Sequence, residues 1–260
     1  MAKYVEVSEA IQFSGLRLVL SAGFPGPWGE AAKAILYVKQ LPYTKVRQYV
    51  GMPNPELKRW TGRDNAPIAV SDDEGPRDGW AEILFLAERL APEPSLIPDT
   101  ANERILMFGL SREICGENGF GWMRRLMSFH PLISADPPLP DAALEIPRRL
   151  SRKYGYSTAA VDAAPRRIAE ILGVLSERLL AQRSVGSRYF IGRSLTALDL
   201  YWAAFALMLE PMPDALCSLP AAIRSSYRLT DPEVRKAADP LLLEHRDFIY
   251  RTHLELPMDF

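Results

Sequence analysis

Hydrophobic positions along this chain follow two different patterns, and the change between them divides it. Leu16-Arg-Leu-Val-Leu20 is a short apolar run of strand length, followed by the turn-rich Ser21-Ala-Gly-Phe-Pro-Gly-Pro27. From Trp28 to Lys39, Ala31, Ala34, Ile35 and Val38 recur at helical spacing. Glu30 falls in the first turn, where the helix dipole favours an acid, and Pro27 sits where a helix tolerates proline best. Thr44 to Val50 reads as a second strand. Pro53-Asn-Pro55 opens a short helix that closes near Thr61-Gly62. Ile68-Ala-Val70 is a third strand, and Asp72-Asp-Glu-Gly75 is the tight turn into a short fourth. Trp80, Ile83, Leu84, Ala87 and Leu90 mark one face of a helix. The order predicts an open mixed sheet with helices on its faces.

Strand signals then stop. Pro92, Pro94 and Pro98 form a stiff linker, and only helical patterns lie beyond it, interrupted by a loop from Pro131 to Pro147 that holds five prolines. Ile168, Ile171, Leu172, Leu175 and Leu179 give an amphipathic helix. Ala197 to Leu209 is apolar nearly all round, as the central helix of an all-α domain would be. Two further helices cover Ala221 to Arg228 and Pro232 to His253. The predicted organisation is an α/β domain over residues 1–91 with an N-terminal extension at 1–15, a linker at 92–99 and an all-α domain over 100–260.

Composition narrows the class. The 260 residues are 48% hydrophobic and 24% charged, which excludes a disordered chain. Lys plus Arg is 31 against 32 Asp plus Glu, so no global field draws the chain to a polyanion, and no nucleic-acid partner is expected. The longest apolar stretch, Leu200 to Leu209, is too short to span a bilayer, and no membrane partner is expected. Cys115 and Cys217 make neither a disulfide framework nor a zinc set, which fits a reducing, cytoplasmic compartment. His130, His245 and His253 are too scattered for a metal site.

This layout resembles the cytosolic glutathione transferases, in which a thioredoxin-like domain precedes a helical one. Three segments carry the resemblance. Asn65-Ala-Pro-Ile-Ala-Val70 is similar to the family's strand-entry motif with its cis proline, which implies that the backbone of Ala66, before Pro67, binds the cysteinyl part of glutathione. Asp78-Gly-Trp-Ala-Glu-Ile-Leu-Phe-Leu86 resembles the helix start that holds the γ-glutamyl end, with Asp78 keeping the acid and Gly79 standing where the family has serine. A similar Asp-Ser-Trp variant occurs in members resembling bacterial lignin β-etherases. Ser194-Leu-Thr-Ala-Leu-Asp-Leu200 is similar to the N-capping box and hydrophobic staple of the helical domain. Thr196 and Asp199 satisfy each other's backbone there, and Leu195 packs on Leu200.

The largest departure is at the first helix. Gly26-Pro-Trp-Gly-Glu aligns with the family's Ser-Pro motif, so the residue that would activate the thiol is Gly26, which has no hydroxyl. The catalytic group is therefore unknown from the sequence. The helix-start amides of Trp28 and Gly29 would still favour a thiolate, and Ser21 is a weaker candidate, dependent on the 22–26 loop folding back. Lys58, Arg59 and Arg63 read first as a solvated basic face, and otherwise stand where family members hold the glycyl carboxylate. Four glycines (109, 116, 119, 121) would weaken or kink a helix carrying Arg112, Cys115, Asn118, Phe120, Trp122 and Arg124. Arg112, Cys115, Phe120 and Trp122 then read either as an acceptor-substrate pocket or as core aromatics beside a surface kink. Cys115 itself reads as a reactive thiol or as a small buried hydrophobe.

The resemblance implies a glutathione-dependent transferase acting on a small hydrophobic electrophile, with glutathione as co-substrate on Pro27, Trp28, Ala66, Pro67, Asp78 and Gly79, and a homodimeric assembly. The alternative is a non-catalytic protein of the same fold whose cleft binds a protein partner or another ligand.

Overall fold

The structure, a computed structural model, describes residues 4–72 and 74–260. Its first part is a four-stranded sheet. Strands β1 (Arg17–Ser21), β2 (Thr44–Gln48), β3 (Ile68–Ser71) and β4 (Glu74–Arg77) lie in the order β2-β1-β3-β4. Helix α1 (Val7–Ala10) precedes β1, α2 (Pro27–Val38) joins the parallel pair β1–β2, α3 (Pro55–Thr61) leads to β3, and α4 (Trp80–Leu90) follows β4. β3 runs antiparallel to both β1 and β4. Asp73, in the predicted tight turn, and residues 1–3 of the predicted extension lie outside the described residues.

The apolar run of β1 is continuous because both faces of the strand are buried. Side chains alternate across a strand, so Leu18 and Leu20 enter the main core under α2 and α4. Val19 enters a smaller core with Val46, Ile68 and Leu57 of α3. The N-terminal segment extends this second layer. Val5 pairs with the edge strand, its N–H donating to the Lys45 carbonyl at 3.0 Å while its own carbonyl accepts from Arg47 at 2.9 Å. An otherwise open edge is thereby closed.

From Ala101 onward every element is helical: α5 (Ala101–Cys115), α6 (Phe120–Ile133), α7 (Asp141–Lys153), α8 (Thr158–Ser184), α9 (Ala197–Phe205), α10 (Ala221–Tyr227), α11 (Pro232–Ala237) and α12 (Pro240–His253). Every residue of α9 is buried, and a 3₁₀ turn, Ala206–Met208, continues it. The cap at its start is a closed polar centre. Asp199 accepts from the Thr196 N–H and hydroxyl, both at 2.8 Å, and from the Phe190 N–H at 2.9 Å, with His245 Nε2 3.1 Å away. Asp199 has no exposed surface.

Three predicted boundaries are corrected. The 131–147 loop is only residues 134–140, because α6 continues through Pro131 and α7 accommodates Pro147. The predicted Pro232–His253 helix is two helices. Pro240 disfavours helical backbone in the residue before it, and Asp239 restarts the chain as an N-cap, accepting from the Leu241 N–H at 2.8 Å. The glycine-rich stretch does not kink one helix but separates two, with Gly116 ending α5 and Gly119 opening α6. Gly121 is required by contact: a Cβ there would run into the Phe205 ring and lie 3.1 Å from Trp28.

Candidate functional site

A cleft of about 800 Å³ opens where the C-terminal end of β1 meets the start of α2. Its sheet side includes Ser21, Phe24, Gly26, Trp28, Ala66 and Asp78. Trp28 is fixed as the floor: its indole N–H donates to the Cys115 carbonyl at 2.9 Å, and its ring meets Phe205 edge-on at 4.9 Å. Gly26 is the N-cap of α2, with φ −62° and ψ 124°, a conformation open to any residue. Its N–H is used by the Phe24 carbonyl at 2.8 Å, and its own carbonyl accepts from Glu30 at 2.9 Å. The amides of Trp28 and Gly29 remain as first-turn donors without a partner inside the helix. They carry the positive end of α2 into the cleft.

Of the predicted glutathione contacts, Trp28, Ala66 and Asp78 line the cleft, whereas Pro27, Pro67 and Gly79 stand beside them in the chain. The Ala66–Pro67 peptide is cis. Asp78 Oδ2 accepts from Arg63 Nε at 2.9 Å, and this pair is solvent-exposed. Lys58 and Arg59 are exposed on α3 and do not line the cleft. At Gly79 the carboxylate of Glu82 folds back over the start of α4, where a serine side chain would begin. Ser21 does face the cleft, but its hydroxyl donates to Gln48 Oε1 at 2.9 Å. Gln48 in turn donates to the Tyr49 carbonyl at 3.2 Å, tying the ends of β1 and β2 together.

The helical side of the cleft differs from the sequence expectation. Arg112, Cys115, Phe120 and Trp122 are not among the residues lining the cleft. Arg112 folds onto the Glu117 carbonyl, and Phe120 is fully buried against Trp202. Trp122 donates to the Tyr154 carbonyl at 2.9 Å, with its ring behind Tyr154. Cys115 is buried, and that burial pushes its thiol pKa well up, leaving a small hydrophobe without thiolate character. The wall is instead the next stripe of α6, Arg125, Ser128, Phe129 and Leu132, at positions i, i+3, i+4 and i+7 of one helical face.

Helix α7 roofs this wall. Ile146 lies against Gly51, whose φ of +68° and crowding by the Ile146 side chain leave no room for a Cβ. Arg149 pairs with Asp64 across the cleft at 3.3 Å. The first-turn acid Glu30 is buried, which raises its pKa, and Lys33 opposes that shift through an ion pair at 3.1 Å. Tyr4 at the rim is pushed up to about 12, by burial first and then by Glu30. Among the described residues, no cluster of three His, Cys, Asp or Glu is placed to hold a metal ion, and no helix is long and apolar enough to cross a membrane.

No protein-family model matches the chain, and no curated protein is similar to it in sequence. Its similarity to solved structures is extensive. A glutathione S-transferase from Methylobacterium radiotolerans, in complex with glutathione sulfonate, superposes with a TM-score of 0.60 at 16% identity, over 91% of each chain. The β-etherase LigF from Sphingobium sp. strain SYK-6 gives 0.56 at 18% identity, over 90% of this chain and 99% of that one. Ure2p in complex with S-hexylglutathione gives 0.58 at 13% identity, over 90% of this chain and 98% of that one. The chain has the fold of the glutathione transferases, a thioredoxin-like part followed by a helical part, at a distance in sequence where the fold is what is shared.

Proposed function

We propose that the protein binds glutathione in this cleft and transfers it to a small hydrophobic electrophile. The observation that carries the reading is that Trp28 and Gly29 at the start of α2, Ala66 before the cis proline and Asp78 all line one cavity. Neighbours of the same fold have been solved with glutathione or its derivatives bound. In this mechanism the thiol loses its proton to solvent and the thiolate sulfur attacks the electrophilic carbon. A C–S bond forms, and the leaving group departs with the electron pair of the bond that breaks.

The departure at Gly26 sets the rate. A hydroxyl that hydrogen-bonds the thiolate lowers its pKa, and each unit is worth about 1.4 kcal/mol. With glycine at that position and the Ser21 proton given to Gln48, the thiolate has only the first-turn amides, worth about 0.3–1 kcal/mol at an exposed helix end. The wild type is therefore a slow enzyme on a simple activated aryl halide. Gly26→Ser tests this directly. The backbone angle is ordinary and the nearest atom to a new Cβ is 3.9 Å away, so serine fits. The variant is expected to conjugate the aryl halide about tenfold faster. A folded variant that binds glutathione and gains nothing would refute the thiolate mechanism.

A second reading keeps one specific observation: neither Gly26 nor Gly79 supplies the family's hydroxyl, and Glu82 already occupies the start of α4. On that reading the cleft binds a ligand or a protein partner without turnover. For assembly we propose a homodimer in a cytoplasmic setting. Ile105 on α5 is 72% exposed, and Phe85 on α4 is 44% exposed and stacks on Phe108 at 5.4 Å, making an apolar face across the two helices.

A further inference from the structure

The charges around the cleft do not cancel. Each carboxylate of the sheet side has a cation: Asp78 with Arg63 at 2.9 Å, Glu30 with Lys33 at 3.1 Å, and Asp64 with Arg149 at 3.3 Å. The helical wall leaves two cations over. Among the described residues no carboxylate oxygen lies within 4 Å of the Arg125 guanidinium or the Lys153 ammonium. Arg125 is half-buried, with its guanidinium carbon 5.4 Å from the Phe24 ring centre and 5.9 Å from that of Tyr227. Lys153 Nζ stands 5.8 Å from the Tyr154 ring centre.

The neighbouring Arg124 supplies the contrast. It donates to the carbonyls of Met208, Ser226 and Tyr227 at 2.8, 3.1 and 3.3 Å, so it is a structural tie between α6 and the chain around α10. Arg125 has no comparable set of carbonyls. The Tyr154 and Tyr227 hydroxyls take part of its planar fork, and the remaining N–H donors of the five match a carboxylate. Burial penalises the charge, and the flanking tyrosine hydroxyls offset that penalty without supplying a carboxylate partner. The position also fits: Phe24, on which Arg125 rests, is the nearest residue to the side-chain position of Gly26. The free cation therefore stands about one aromatic ring away from the start of α2, where the sulfur would react.

We propose that the acceptor is an aromatic carboxylate, its ring held against Phe129 and Tyr154 and its carboxylate bound by Arg125 with Lys153 nearby. This assignment rests on the glutathione reading of the cleft and names the acceptor class for it. Arg125 is then the residue that selects acids over neutral aromatics, while Leu132 and Ile146 exclude water from the ring.

The test uses the full chain and two S-substituted glutathiones, S-benzylglutathione and S-(4-carboxybenzyl)glutathione, titrated by calorimetry. The carboxylate conjugate is expected to bind about tenfold or more tightly than the neutral one, as a charge-assisted bidentate bond allows. Arg125→Gln should erase that preference without weakening S-benzylglutathione, and Arg125→Lys should retain part of it. The wild-type comparison needs no variant to fold. Equal affinity of the wild type for the two conjugates would overturn the proposal and leave the glutathione site standing. So would an Arg125→Gln variant that loses affinity for both equally, since the cation would then serve glutathione itself. If neither conjugate binds, the glutathione reading fails and the proposal with it.

Discussion

Replacing Asp199 with alanine probes the centre of the helical part. The carboxylate is completely buried and accepts three hydrogen bonds, two from the backbone amides of Thr196 and Phe190 and one from the Thr196 hydroxyl. Alanine leaves both amides without a partner in a region closed to water. Each orphaned buried donor costs about 1–3 kcal/mol, whereas the hydroxyl can turn and recover part of its loss. Deleting the cap also frays the first turn of α9, whose residues are all core. The expected loss is about 3–6 kcal/mol, a large share of the 5–15 kcal/mol that holds a typical domain together. Thr196→Ala removes the hydroxyl alone and should cost about 0.5–2 kcal/mol. The assay is urea unfolding followed by tryptophan fluorescence, for which the fully buried Trp202 is a reporter in the same helix. The denaturant slope should be unchanged, so that the midpoint shift reports stability. Asp199→Asn keeps the volume and one acceptor, so it gives an intermediate loss and a measurement if the alanine variant fails to fold. An Asp199→Ala loss no larger than that of Thr196→Ala would refute the reasoning, because the carboxylate would then not be the partner of the Phe190 amide.

Two further outcomes follow from burial and exposure. Cys115 and Cys217 are both buried and both thiols are raised by burial, Cys217 to about 11, so neither should react with a chromogenic thiol reagent at neutral pH until the chain is unfolded. One thiol titrating at once in the native protein would contradict this placement. Ile105→Glu puts a charge on the exposed apolar face shared by α4 and α5, so sedimentation should show a wild-type dimer and a variant monomer; a monomeric wild type would refute the homodimer.

The sheet part was legible because its elements are short and locally signalled. Leu18-Val19-Leu20 is apolar throughout since both faces are covered, and Gly62 ends α3 at a φ of +74° that glycine adopts without cost. The roof of the site was not legible. Pro131 and Pro147 argue for a loop by local rules, yet α7 forms with Leu144 buried beneath it, Ile146 on Gly51 and Arg149 on Asp64. Those contacts join residues about a hundred positions apart in sequence, beyond the reach of any pattern. The helical wall of the cleft was legible in principle: Arg125, Ser128, Phe129 and Leu132 repeat at helical spacing. The glycines at 116, 119 and 121 point one stripe too early, to Phe120 and Trp122, which pack behind the wall.

Glutathione binding is the claim on which the functional account stands, and calorimetric titration of the wild type with reduced glutathione tests it most directly. The Asp78–Arg63 pair is exposed and contributes at most about 1 kcal/mol to stability, so Asp78→Ala leaves the fold intact and isolates the role of the carboxylate. The wild type is expected to bind with a millimolar or tighter Kd and Asp78→Ala to lose about tenfold, with unfolding stability nearly unchanged. No heat of binding from the wild type at about 10 mM glutathione, a concentration that would reveal even a weak site, would contradict it.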